Sequence, residues 1–250
     1  MKAVAVVSGV ASGIGKCIAT NFNDRDVEVF GLDKNKADIA NVKCYQCDVG
    51  NEADVLECID KIATETGKID YLVNAAGVFC YENRYLVENL PLCEWEKVFE
   101  ANLKSVFLMT KYSIPLLKKS GKGNIINFST EQVVLTQTKS APYAVTKAAI
   151  EMFTKITAME LLSEKIRVNT IALASVKTNF LKSYIKDDKK IDEMMLNSEA
   201  KMPFGLIEPK DVFDLVQYLI SDNNKMTGQT LLIDSGVILD ANRKAREQKK

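Results

Sequence analysis

The stretch SGVASGIG, residues 8–15, decides how the rest of the chain reads. An apolar run, KAVAVVSG (2–9), leads into it, and a helical pattern, IGKCIATNF (14–22), leads out. Gly9, Gly13 and Gly15 are spaced G-x-x-x-G-x-G. Glycines at such a strand-to-helix turn let the backbone bend sharply and come close to a pyrophosphate. The helix that follows offers free N–H groups and the positive end of its dipole to the phosphates. A tight turn with no ligand would use the same residues. The next apolar run, DVEVFGLD (26–33), separates the two readings. It ends on Asp33, a carboxylate placed to accept hydrogen bonds from an adenosine ribose. Asp33 also repels a 2′-phosphate, and the turn holds no arginine to offset it. The pattern favours NAD over NADP, with Lys34 and Lys36 keeping NADP open as the second choice.

Working outward, five more runs repeat the apolar pattern: VKCYQCDV (42–49), IDYLVNAAG (69–77), GNIINFST (123–130), IRVNTIAL (166–173) and TLLIDSG (230–236). They are nearly continuous in apolar character, as strands buried on both faces are. Helical patterns lie between them. The expected fold is α/β, a doubly wound parallel sheet of about seven strands with helices on both faces. No linker or repeat interrupts the 250 residues, so one domain is expected over 1–240. ANRKAREQKK (241–250) reads as a polar, basic C-terminal tail.

Lys+Arg and Asp+Glu are equal at 33 each, which gives no electrostatic case for nucleic acid or an anionic membrane as partner. No apolar run is long enough to span a bilayer, and the N-terminal run is too short for a signal peptide. The six cysteines all lie in the first hundred residues, mostly inside predicted elements. They suit a reducing, cytoplasmic compartment. CYQC (44–47) has metal-like spacing, but no second pair and no histidine completes a site, so no metal is expected.

SAPYAVTKAA (140–149) sets Tyr143 and Lys147 four positions apart, on one face of a helix. A tyrosine alone titrates near about 10, too high for a base at neutral pH. A fixed ammonium beside it favours the phenolate. Such a pair can exchange a proton with a substrate oxygen, though alone it is also an ordinary helix-face pair. The same helix, about 142–162, has two apolar stripes. Val145, Ala149, Met152, Ile156 and Met159 form one; Ile150, Phe153 and Leu161 form the other. Two buried faces need two neighbours.

Taken in order, SGVASGIG, CDV (47–49), NAAG (74–77), ANLKSVF (101–107), Y-A-V-T-K (143–147) and GQTLLIDSG (228–236) resemble the motifs of the short-chain dehydrogenase/reductase family, in its single-domain, Rossmann-like form. The resemblance covers almost the whole chain. It implies that Ser12 and Ile14 join the glycines in the cofactor turn, and that Asp48 and Val49 meet the adenine. It implies dinucleotide contacts from Asn74, Ala75 and Ala76, and from Val176 and Thr178 at the carboxamide. Asn102, Thr130, Tyr143 and Lys147 take the catalytic positions, with Lys147 also on the nicotinamide ribose. The implied activity is NAD(H)-dependent interconversion of a secondary alcohol and a ketone, with Tyr143 as general acid and base. A homo-oligomer, dimer or tetramer, is implied through the helix of Tyr143.

Three departures qualify the match. The family's serine before the tyrosine falls on Thr130, with Ser129 beside it; strand alternation turns the two to opposite sides. The Pro-Gly after the sixth strand is Leu173-Ala174. Between Asp33 and Asp48 there is room for a loop, KNKADIANV (34–42), rather than a crossover helix. The Thr130 and Leu173-Ala174 changes leave a second reading, a catalytically silent dinucleotide-binding regulatory or scaffold protein. A polyol, sugar, cyclic diol, steroid or keto thioester remain open as substrate. Phe180, Leu181, Tyr184, Ile185 and Met195 are candidates for an apolar lid, and Lys186–Lys190 for a solvated turn. Glu131, Gln132 and Gln137 are candidates for polar contacts with the substrate.

Overall fold

Strand residues that are apolar on both faces need cover on both faces, and the chain supplies it. The computed structural model describes residues 2–25, 27–79, 84–179, 185 and 187–247, with side chains to 242. Its strands are β1 (Val4–Ser8), β2 (Glu28–Asp33), β3 (Lys43–Gln46), β4 (Tyr71–Asn74), β5 (Asn124–Thr130), β6 (Arg167–Leu173) and β7 (Thr230–Ile233). They form one parallel sheet in the order β3-β2-β1-β4-β5-β6-β7. The order reverses between β1 and β4, and the crevice beyond the strand ends at such a point is where doubly wound sheets bind ligands.

The helices are α1 (Gly13–Asn23), α2 (Glu52–Thr66), α3 (Leu92–Phe99), α4 (Ser105–Ser120), α5 (Ala141–Glu160), α6 (Asp188–Glu199), α7 (Pro209–Ile220) and α8 (Val237–Glu247). All five residues of β1 are buried, and they alternate between two cores. Val4 and Val6 pack with Val55, Ile59 and Ile62 of α2 and Leu117 of α4. Ala5 and Val7 pack with Ile18 and Phe22 of α1 and Phe213 and Val216 of α7. Each large apolar side chain so buried contributes roughly 1.5–3 kcal/mol. No helix among the described residues is long and apolar enough to cross a membrane.

Local chemistry explains the boundaries. Asn51 caps α2 by accepting from the amides of Ala53 and Asp54, and Gly67 closes that helix in the left-handed conformation. Residues 34–42 carry no helix, as their length requires. Two expectations need correction. The side chain of Asp187 accepts from the amides of Lys189 and Lys190, so α6 begins where a solvated turn was expected. Residues 241–247, expected as a tail, continue α8. Asp234 starts that helix by accepting from the amides of Gly236 and Ile238, and strong helix formers extend it.

Candidate active site

The carboxyl ends of β1, β2, β4, β5 and β6 open on one cavity of about 750 Å³. Its floor is the turn into α1. Gly9 has φ +76°, and a Cβ there would meet the Ala76 amide nitrogen at 2.8 Å. A Cβ on Gly15 would lie 2.3 Å from the Gly9 carbonyl oxygen. Both positions need glycine because two backbones touch there. Ser8, at the end of β1, accepts from the Ala76 amide at 3.1 Å and holds the β4 loop against the turn.

Asp33 lines the same cavity and also braces the turn. Its carboxylate accepts from the amides of Ala11 (3.0 Å) and Asn35 (2.8 Å). Asp48 and Val49 line the wall next to it, where Asp48 accepts from the Gly50 amide. Ser12, Gly13, Ile14, Ala75, Ala76, Val176 and Thr178 line it too. Thr178 sits over the turn, its Cβ 3.4 Å from the Cβ position of Gly13. The Leu173-Ala174 step keeps its place on the wall, with the Ala174 amide donating to Ile233.

Tyr143, Lys147 and Thr130 line the other end. Tyr143 packs edge-on against Phe79, with ring centroids 4.4 Å apart. The Lys147 Nζ lies 5.7 Å from the Tyr143 ring centroid and donates to the Phe128 carbonyl at 3.0 Å. Burial alone lowers the Lys147 pKa to about 8. Ser129 and Thr130 both line the cavity, but their hydroxyls take different partners. Ser129 turns to α5 and donates to Glu151 Oε1 at 2.6 Å. Thr130 donates to Glu131 Oε2 at 2.6 Å. Glu131 is buried at the cavity wall, and that burial raises its carboxyl pKa, with Asp234 adding to the rise.

Asn74 and Asn102 are not on the cavity wall. Asn74 ends β4 with its side chain in a buried network, donating to Asn127 at 2.8 Å. Asn102 lies in a single π-helical turn, Glu100–Lys104, between α3 and α4. Such turns cluster at functional sites. Its Oδ1 accepts from the Val78 amide at 2.7 Å and its Nδ2 donates to the Val78 carbonyl at 3.0 Å. Asn102 thus fixes the loop that carries Phe79 to Tyr143. Phe79 and Ser8 went unnoticed in the sequence; an aromatic just past NAAG was the one signal for the first. Of the lid candidates, Ile185 packs with Ile191 and Met195 near α6, and Met195 lines the cavity. Phe180, Leu181, Tyr184 and Lys186 lie outside the described residues.

A family model described as enoyl-(acyl carrier protein) reductase matches residues 9–238. An NAD-dependent glycerol dehydrogenase of Listeria innocua is 32% identical over 243 residues, 93% of this chain and 92% of that protein. The ligand-free aldohexose dehydrogenase of Thermoplasma acidophilum superposes with a TM-score of 0.87 at 27% identity, covering 95% of this chain and 94% of that one. A structure described as ElxO with NADP bound gives a TM-score of 0.85 at 28% identity, covering 96% and 100%.

Proposed function

The chain belongs to the short-chain dehydrogenase/reductase family of oxidoreductases, and from that premise we propose that it interconverts a secondary alcohol and a ketone with NAD(H). The observation that carries this reading is the shared cavity. One wall holds Asp33 and the glycine turn, and another holds Tyr143, Lys147 and Thr130.

The residues fit a dinucleotide. The turn lines the cavity, and Ser12 makes no side-chain cap to the first amides of α1, which leaves them for a pyrophosphate. Asp33 would hold the adenosine ribose, with Asp48 and Val49 beside the adenine. Lys147 would reach the nicotinamide ribose, and Val176 and Thr178 the carboxamide. A bound nicotinamide supplies the hydride chemistry; the chain supplies position and proton. Tyr143 takes the proton of the substrate hydroxyl in oxidation and returns it to the ketone oxygen in reduction. Lys147, a cation in a dry site, stabilises the phenolate that accepts this proton in oxidation and is left behind in reduction. Thr130 orients the reacting oxygen, and Asn102 holds the loop behind Tyr143. Tyr143 and Lys147 in one cavity with the glycine turn favour turnover over a silent binding role.

The relatives divide over the cofactor, one named for NAD and one bound to NADP. Asp33 supports NAD here, since its carboxylate repels a 2′-phosphate. The α5 stripe of Val145, Met152, Ile156 and Met159 is exposed, which supports a homo-oligomer built on that helix. The free thiols Cys17, Cys44, Cys47, Cys58 and Cys93 support a reducing, cytoplasmic setting. Fluorescence titration with NADH and NADPH tests the cofactor: NADH is expected to bind more tightly, and a preference for NADPH would overturn the assignment.

A further inference from the structure

The cavity carries one buried carboxyl that the proposed reaction does not use. Glu131 follows Thr130 directly and is 8% exposed. Its Oε2 takes the Thr130 hydroxyl proton in a 2.6 Å hydrogen bond. That bond has a consequence for the reaction. With its proton committed to Glu131, Thr130 can only accept from a reacting oxygen. A substrate hydroxyl that donates to Thr130 directs its proton away from Tyr143. A ketone oxygen receives no donor from Thr130 at all.

A second hydroxyl on the substrate removes the conflict. It donates to Glu131 in place of Thr130, and the freed Thr130 proton turns to the reacting oxygen. The geometry limits where that hydroxyl sits. Thr130 Oγ1 and Glu131 Oε2 are one hydrogen bond apart, the same spacing as the two oxygens of a vicinal diol. Gln132, the next residue on the wall, is also 8% exposed, and its Oε1 is buried with no hydrogen-bond partner. A buried acceptor left without a donor is unfavourable. A substrate hydroxyl arriving through the cavity is the kind of donor that oxygen lacks. Lys147 in the same cavity disfavours a cationic substrate.

We propose that Glu131, with Gln132 beside it, is the receptor for a second hydroxyl, so that the substrate is a vicinal diol in one direction and the corresponding α-hydroxy ketone in the other. This deepens the oxidoreductase reading and rests on it. In oxidation the carbinol C–H leaves with its electron pair to NAD, the O–H proton passes to Tyr143, and the C=O bond forms. The neighbouring hydroxyl stays on Glu131 and is unchanged.

The test compares alcohols on one carbon skeleton, butane-2,3-diol with butan-2-ol and cyclohexane-1,2-diol with cyclohexanol, each with NAD. A β-keto thioester with NADH or NADPH is run alongside. The wild type is expected to favour each diol by about tenfold or more in kcat/KM, the factor carried by one hydrogen bond to a buried carboxylate. The gain is expected mainly in kcat, because the diol frees Thr130. Glu131→Leu is expected to cut the diol-to-alcohol ratio by about tenfold or more. The isosteric Glu131→Gln, which keeps an acceptor, is expected to cut it less, and it decides the matter if the leucine variant does not fold. A wild type that treats diol and alcohol alike, or a ratio that neither variant moves, overturns the diol receptor and leaves the oxidoreductase reading standing. No turnover of any alcohol, diol or keto thioester with either dinucleotide overturns both.

Discussion

Lys147→Met is expected to make the protein more stable while removing its activity. The Lys147 ammonium is buried, with one hydrogen bond to the Phe128 carbonyl and no carboxylate partner among the described residues. Burial lowers its pKa from 10.5 to about 8. A drop of that size corresponds to about 3 kcal/mol of unfavourable desolvation for the charged form. Methionine fills similar space without the charge, but leaves the Phe128 carbonyl without this donor. That loss offsets about 1.5–2 kcal/mol. The net gain near neutral pH is on the order of 1 kcal/mol, or about 2–4 °C in Tm for a chain of this size. The sign depends on pH. Because the folded pKa lies below the unfolded one, the unfolded chain holds more protons between them, and wild-type stability rises with pH across that window. The penalty is fully present below the folded value and is relieved as pH climbs from about 8 to about 10.4. Thermal unfolding of the cofactor-free wild type and variant, near neutral pH and at about pH 9.5, measures this. The advantage of Lys147→Met should shrink or reverse at the higher pH. A variant less stable than wild type by the same margin at both pH values would show that the buried ammonium carries no such penalty.

Gly15→Ala is expected to abolish dinucleotide binding and lower stability by about 2 kcal/mol or more, because the new Cβ meets the Gly9 carbonyl at 2.3 Å and the turn must open; NADH titration and denaturant unfolding check it. Thr130→Val should lower kcat by about tenfold or more through loss of its hydroxyl. Ser129→Ala should leave turnover nearly intact and cost about 1 kcal/mol of stability, since its hydroxyl is spent on Glu151. Steady-state kinetics on the two variants separate these outcomes, and a larger kinetic loss in Ser129→Ala would reverse the assignment of the substrate-facing hydroxyl.

The sheet was legible because its central strands β1, β4, β5 and β6 are covered on both faces, so burial wrote itself into the sequence as nearly unbroken apolar runs. The glycine turn was legible because two backbone contacts admit no Cβ at Gly9 and Gly15. Tyr143 and Lys147 reach one cavity because helical periodicity puts them on one face, and Thr130 reaches it at the end of β5 with Ser129. Asn74 was harder. Motif position says that a residue lies near a ligand, not which way its side chain turns, and here the Asn74 amide nitrogen donates to Asn127 inside the sheet. Asn102 acts at one remove, through Val78, across a π-helical turn that no sequence period reports. The end of the chain misled because ANRKAREQKK lacks apolar periodicity, while its start is fixed from outside by Asp234.

Tyr143→Phe, measured for NADH binding and for turnover of the best alcohol found, separates the acid–base role of Tyr143 from dinucleotide binding. The phenylalanine ring can keep its edge contact with Phe79 and leaves the glycine turn and Asp33 untouched. NADH affinity is expected to stay near the wild-type value, with turnover reduced on the order of 10²–10⁴-fold, the usual worth of a general acid–base group. Turnover close to the wild-type rate would contradict that role.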